Sequence, residues 1–203
     1  MSKQAFIVCA LAGTISVAGA GVTSIGQFTG DATERFENIA PPGTVPGPVD
    51  IFGGEGTGND AFAGILMMAI NLNSFLTGET IFAYNGNLMG GSVTGIVDFT
   101  FDQGATEFGG YFGTVDILSG GSVSFYDAND ALIETQAFGM PLNNWDWYGW
   151  SSTEAFSRVR ISGAANPGLP IVFDDLQVNL VPTPASGMLV MLGGACMMRR
   201  RRA

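Results

Sequence analysis

All three tryptophans of the chain fall within six positions, Trp145, Trp147 and Trp150, with Tyr148 among them. An aromatic ring face covers the apolar C–H face of a pyranose, so Trp145, Trp147, Tyr148 and Trp150 form a candidate carbohydrate platform. The same rings also suit a packed interior, where large aromatics dominate. Trp145 and Trp147 are two positions apart and share one face of a strand. Exposed, coplanar rings would mark the platform; buried rings would mark the core.

A second candidate is "IVFDDLQVNL" near the end of the chain. Val172, Leu176, Val178 and Leu180 share one parity, and Asp174 shares it with them. Asp174 therefore points towards the core unless a bulge intervenes, while Asp175 points the other way with Gln177 and Asn179. A buried carboxylate is costly unless an arginine or a cation compensates it. Asp174 or Asp175, together with Glu37, is accordingly a candidate holder of a structural calcium, a hard cation that takes oxygen ligands. The alternative is that both aspartates are solvated at a strand end or cap a turn. "YDANDALIE" does not make an EF-hand loop, because Leu132 stands where the glycine belongs and Phe138 where the final glutamate belongs. Asp127, Asn129 and Asp130 read instead as hairpin-turn residues, which tolerate the left-handed region and bond their own backbone.

Composition removes several kinds of chemistry. Between residues 21 and 181 lie 18 acids against three bases, Arg35, Arg158 and Arg160, a net charge of −15. That stretch has no Lys, His or Cys; Cys9 and Cys196 lie outside it. So acidic a body repels nucleic-acid phosphates. It has no Ser-His-Asp triad, no Cys nucleophile and no ordinary zinc ligands. A carboxylate-based glycan hydrolase is the main catalytic option left, and it needs two acids facing each other roughly 5–9 Å apart across a cleft. No pair stands out by context, so no catalytic residue is assigned.

The elements that position these residues read as strands. "TERFENIA" is expected as the first strand. Residues 41–60 are half Gly or Pro and read as a long loop with a short edge strand at "VDIF". "FAGILMMAINL" reads as a buried strand. "ETIFAY" ends at the turn signal "NGN". "GSVTGIVDFTF" places Val97, Phe99 and Phe101 on one face and Asp98 and Thr100 on the other. "EFGGYFGTVDI", "GSVSFYD", "ALIETQAF", "WDWYGW", "FSRVRIS" and "PIVFDDLQVNL" follow. Many short strands at regular spacing predict an all-β antiparallel sandwich or barrel in one domain, residues 21–181.

The two ends read as addresses. Lys3, the 13-residue apolar run "AFIVCALAGTISV" and the small residues Ala18 and Ala20 make a secretory signal peptide, 1–20, cut before Gly21. At the other end, Pro182-Thr183-Pro184 leads into 14 apolar or small residues, 185–198, and then Arg199, Arg200, Arg201 and Arg202. As a helix, 14 residues span about 21 Å, short of a ~30 Å hydrocarbon core, which suits a transient anchor. The arginines would hold its end on the cytoplasmic side.

In the order of its three parts this tail resembles the PEP-CTERM sorting tail, which is also named the ice-binding protein C-terminal domain. Thr183 stands where that family usually has glutamate. The resemblance implies export, transient anchoring in the inner membrane through the C-terminal helix, and processing by an exosortase-type protease. The body, with "ATEFGGYFG", "VSFYDANDALIET", "WYGWSS" and "IVFDDLQV", looks like the jelly-roll-like β-sandwich modules that often precede such tails. The expectation is thus a jelly-roll-like sandwich between an N-terminal signal helix and a C-terminal apolar helix. Its expected role is noncatalytic, structural or adhesive, at the cell envelope or in the extracellular matrix. The alternative is a carbohydrate-binding module whose partner is an extracellular polysaccharide.

Overall fold

The computed structural model of the chain describes residues 21–74, 77–115, 120–164 and 168–182. Fourteen strands lie among them: β1 (Val22–Ile25), β2 (Ala32–Glu34), β3 (Gly43–Pro46), β4 (Val49–Ile51), β5 (Gly56–Asp60), β6 (Ile65–Ala69), β7 (Asn71–Asn73), β8 (Thr80–Phe82), β9 (Met89–Ser92), β10 (Ile96–Thr114), β11 (Gly121–Tyr126), β12 (Leu132–Phe138), β13 (Asp146–Gly163) and β14 (Ile171–Leu180). The fold is all-β and antiparallel, as expected. No helix among the described residues is long and apolar enough to cross a membrane. The signal segment 1–20 and the tail from Thr183 onward lie outside the described residues.

Two long strands make the sandwich. The sequence reads "GSVTGIVDFTF" and "EFGGYFGTVDI" as separate strands, but Ile96–Phe101 of the first and Glu107–Thr114 of the second both belong to β10, which is 19 residues long, while Gly91 and Ser92 belong to β9. Likewise Asp146–Trp150 of "WDWYGW" and all of "FSRVRIS" belong to one 18-residue strand, β13. The β10–β13 ladder is in register from Ile96 to Thr100 and from Glu107 to Phe112, and shifts between them around Ala105. Gly104, at φ +75, supplies the left-handed residue at this bend. Past the bend the partners change. The first half of β10 pairs with β5, and the second half pairs with β14.

One layer is therefore β12-β11-β13-β10-β5-β4, using the second half of β13. The other is β1-β13-β10-β14-β9-β6-β3, using its first half. β2 adds to β14. The two faces meet ring against ring. Phe99 lies 5.3 Å from Phe108 and 5.1 Å from Phe173, and Phe125 lies 6.1 Å from Trp150. All five are fully or almost fully buried. Burying aromatic surface on this scale is the dominant stabilising term.

Two local expectations change and a third holds. The first strand is β1, and "TERFENIA" is strand only at its start. Phe36 takes φ +64 and the chain turns at Glu37. The Gly/Pro-rich stretch 41–60 holds three short strands, β3, β4 and β5, not one. Asp127, Asn129 and Asp130 do make the β11–β12 turn: the Asp127 carboxylate accepts from the Asn129 and Ala131 amides, both at 2.8 Å.

Candidate functional site

Alternation along β13 sends its aromatic residues in two directions. Trp150 is 2% exposed and packs on Phe108, Phe112 and Phe138 inside the sandwich. Tyr148 points the same way, against Phe112 and Phe138, and burial followed by the Asp146 carboxylate raises its hydroxyl pKa. Trp150 and Tyr148 are thus core residues. Trp145 and Trp147 point to the opposite face of the layer.

On that outer face, register aligns Trp147 with Tyr111 of β10, and Tyr111 with Asp174 of β14. Tyr84, just after β8, lies over Tyr111 with ring centroids 3.6 Å apart and planes 20° apart. Trp145 meets Tyr84 edge-on at 6.4 Å, and its indole N–H donates to the Phe82 carbonyl at 2.8 Å. Phe28 meets Trp147 edge-on at 5.8 Å, and Trp147 meets Tyr111 at 5.4 Å. The result is one continuous row, Trp145–Tyr84–Tyr111–Trp147–Phe28. Tyr84 is 46% exposed and the other four are half-buried. Glycines make room for the row, whose rings meet edge-on except for the Tyr84–Tyr111 stack. A Cβ on Gly109 would come 2.9 Å from the Trp147 ring, and one on Gly113 would come 2.9 Å from Ile81 of the covering hairpin.

The loop after Tyr84, Asn85-Gly86-Asn87, is held from both ends by carboxylates. Asp174 accepts from the Asn85 amide at 3.0 Å and from the Asp175 amide at 2.7 Å. Glu37 accepts from the Asn87 and Leu88 amides at 2.5 and 2.9 Å. Asp175, at φ +47, forms a β-bulge opposite Gly110 and accepts from Arg35 Nε at 3.0 Å. The bulge reverses the parity of β14. Phe173 and Ile171 face the core before it, Leu176 and Val178 after it, and Asp174 lies on the aromatic face.

The three carboxylates expected around a calcium ion are therefore engaged by backbone amides and an arginine. Among the described residues no group of three or more His, Cys, Asp or Glu gathers as a metal-holding cluster.

The electrostatics follow from these contacts. Burial pushes the Asp174 carboxyl up to about 6, although the amides of Asn85 and Asp175 oppose it. The Leu88 and Asn87 amides hold the Glu37 carboxyl below the usual range. The Tyr84 hydroxyl is pushed up to about 12, first by its hydrogen bond with the Tyr111 hydroxyl, then by burial and the nearby negative charge of Asp175 and Asp174. Asp174 has the one raised carboxyl on this face, and it is 0% exposed beneath the loop. It offers no proton to a substrate outside. An open cleft of about 1120 Å³ adjoins the loop and is lined by Thr33, Arg35, Glu37, Asn38 and Asp50 among others.

Of the sequence candidates, Trp145 and Trp147 join the outer-face row, while Tyr148 and Trp150 do not. Phe28, Tyr84 and Tyr111 complete it without having been singled out. The glycines of "FGGYFG" were the available signal, since small residues on one strand face leave room for rings from neighbouring strands. Glu37 and Asp174 meet through the loop, and Asp174 and Asp175 through the bulge.

No protein-family model and no curated protein sequence matches the chain. Among solved structures it is similar to the CBM22-1 xylan-binding domain of Paenibacillus barcinonensis Xyn10C, at 14% identity and TM-score 0.42, over 78% of this chain and 99% of that one. It is also similar to the K2 cleaved adhesin domain of Lys-gingipain, at 20% identity and TM-score 0.45, over 73% of this chain and 98% of that one. A third is the family 11 carbohydrate-binding module of cellulosomal cellulase Lic26A-Cel5E of Clostridium thermocellum, at 9% identity and TM-score 0.33, over 78% of this chain and all of that one. At such identities and scores neither a family nor a ligand follows for this chain.

Proposed function

We propose that this chain is a noncatalytic carbohydrate-binding protein of the cell envelope or extracellular matrix, exported by its signal segment and sorted by its tail. The observation that carries the binding role is the row Trp145–Tyr84–Tyr111–Trp147–Phe28, in which Tyr111 and Trp147 stand on strands and Tyr84 is 46% exposed. Side chains on strands hold their geometry better than side chains on free loops. Of the three row residues outside strands, Phe28, Tyr84 and Trp145, the exposed Tyr84 is fixed by its stack on Tyr111 and by the carboxylates that hold the loop after it. The sealed position of Asp174 supports a role without catalysis.

Tryptophan fluorescence of the full-length protein, titrated with soluble oligosaccharides of several types, tests the binding role. At least one should shift the emission, and Tyr84→Ala should weaken that ligand about tenfold or more, the range of an interface hot spot. Trp150→Ala is the contrasting control: it should cost roughly 3–5 kcal/mol of stability as a core truncation. No response to any neutral, acidic or amino sugar ends the proposal.

The tail supports the sorting role by its Pro-Thr-Pro, apolar and arginine-rich parts. It follows β14 after a single residue, Val181, so the folded body stands close to whatever holds it. Cells producing the chain with and without residues 182–203 should differ in how the protein distributes between membrane, surface and medium. Identical distributions would remove the sorting role.

A further inference from the structure

The aromatic row has an electrostatic character that narrows its ligand. Residues 21–181 carry only three cationic side chains, and each is already bonded to aspartate. Arg160 bonds both oxygens of Asp98 at 2.7 Å. Arg158 reaches Asp98 at 3.2 Å and Asp130 at 2.5 Å, and lies 3.7 Å over the Tyr126 ring. Both stand on the second half of β13, in the layer that does not carry the row. Arg35 is the one cation near the row. It bonds Asp175 through Nε, and its exposed end looks into the cleft shared with Glu37 and Asp50. A uronate or sulfated chain would meet near this face only Arg35, already bonded to Asp175, within a body of net charge −15.

Asp174 makes the opposite case. It lies beside Tyr84 and is 0% exposed. Both its oxygens accept from backbone amides, and no cationic side chain among the described residues bonds it. Hydrogen bonds from amides satisfy its lone pairs without neutralising its charge. Tyr84 thus presents an aromatic face to solvent with an uncompensated carboxylate next to it. An aromatic ring attracts an ammonium through its quadrupole, more strongly where water is partly displaced. A nearby anion in a poorly screened site adds to that attraction. A neutral sugar would exploit the rings alone.

Resting on the carbohydrate-binding reading above, we propose that the ligand of the Tyr84 face is a polymer of amino sugars carrying free, protonated amines. The pyranose ring stacks along the aromatic row, and the ammonium sits at the Tyr84 end, where the carboxylate charge is nearest.

The test compares matched oligosaccharides by calorimetry on the full-length protein. The probes are a glucosamine oligomer with free amines, its fully N-acetylated counterpart, a neutral gluco-oligomer and an oligogalacturonate. Each is measured at about 0.05 M and about 0.5 M salt, which shortens the screening length severalfold. The free-amine oligomer should bind about tenfold or more tighter than the acetylated one at low salt, with the gap closing at high salt. The oligogalacturonate should not bind. Tyr84→Ala leaves the net charge unchanged and should lose the free-amine preference. If that variant binds the amine oligomer as wild type does, the attraction is only the overall negative charge and the site is wrong. Equal or tighter binding of acetylated or neutral oligomers overturns the amine preference and leaves the carbohydrate-binding reading standing. Binding of none overturns both.

Discussion

Asp174 shows how one residue changes its meaning with its surroundings. As a letter in "VFDDLQV" it is a buried charge in need of a cation. In the fold it anchors the loop carrying Tyr84, and its partners are amides. Burial sets its carboxyl at about 6, against an ordinary 3.8. Between those values the folded chain holds a proton that the unfolded chain has released, so stability falls as pH rises from about 4 to about 6. The span corresponds to about 3 kcal/mol at most. Glu37 and Asp60 act in the opposite sense, but their carboxyls are held below ordinary values, so their contribution is lost only at lower pH. The melting temperature should therefore drop between about pH 4.5 and about pH 6.5. Asp174→Asn, uncharged throughout, should flatten that slope relative to wild type. Parallel slopes in the two proteins would show that another group titrates.

At the scale of elements, the edges of the two layers are joined on one side by side chains. The Val22 amide of β1 donates to Glu134 of β12 at 2.8 Å, and Gln136 of β12 donates to the Val22 carbonyl at 2.6 Å. These bonds take the place of a strand ladder between β1 and β12. The double variant Glu134→Ala, Gln136→Ala should speed hydrogen exchange at Val22 and leave the amides of 158–162 protected. Unchanged exchange at Val22 would mean that its pairing with β13 alone holds β1. Most strands could be read from alternation: Val97, Phe99 and Phe101 face inward as their spacing requires. The bends could not. "DQGAT" looks like a turn between two strands because Gly104 and the polar residues around it have turn chemistry. Only the ladders on either side, with their change of partner, show that the chain continues as one strand. The aromatic row was half legible for a similar reason. Trp145 and Trp147 lie close in sequence, but Tyr84 and Tyr111 reach them through pairings 27 or more residues away.

For the whole molecule, the absence of Lys, His and Cys from residues 21–181 leaves packing and carboxylate–amide bonds to hold the fold. Asp60 is the clearest case. It is 0% exposed and accepts from the amides of Phe62, Ala63 and Thr94 and from the hydroxyls of Ser92 and Thr94. With such carboxylates satisfied internally, the melting temperature should be the same in millimolar calcium and in chelator. A rise with calcium would show that an ion binds after all and stabilises the native state by mass action.

The position of β14 has a mechanical consequence. It is the strand from which the chain leaves at Pro182, and it lies inside its layer, flanked by β10 on one side and by β9 and β2 on the other. A load applied at residue 182 while the aromatic face grips a polymer would run along β14 and into the β10 ladder that supports Tyr111. The hydrogen bonds of that ladder would be pulled in shear, all together, and not unzipped one at a time. Were the chain held at that end, this strand is where the fold would best resist being drawn apart.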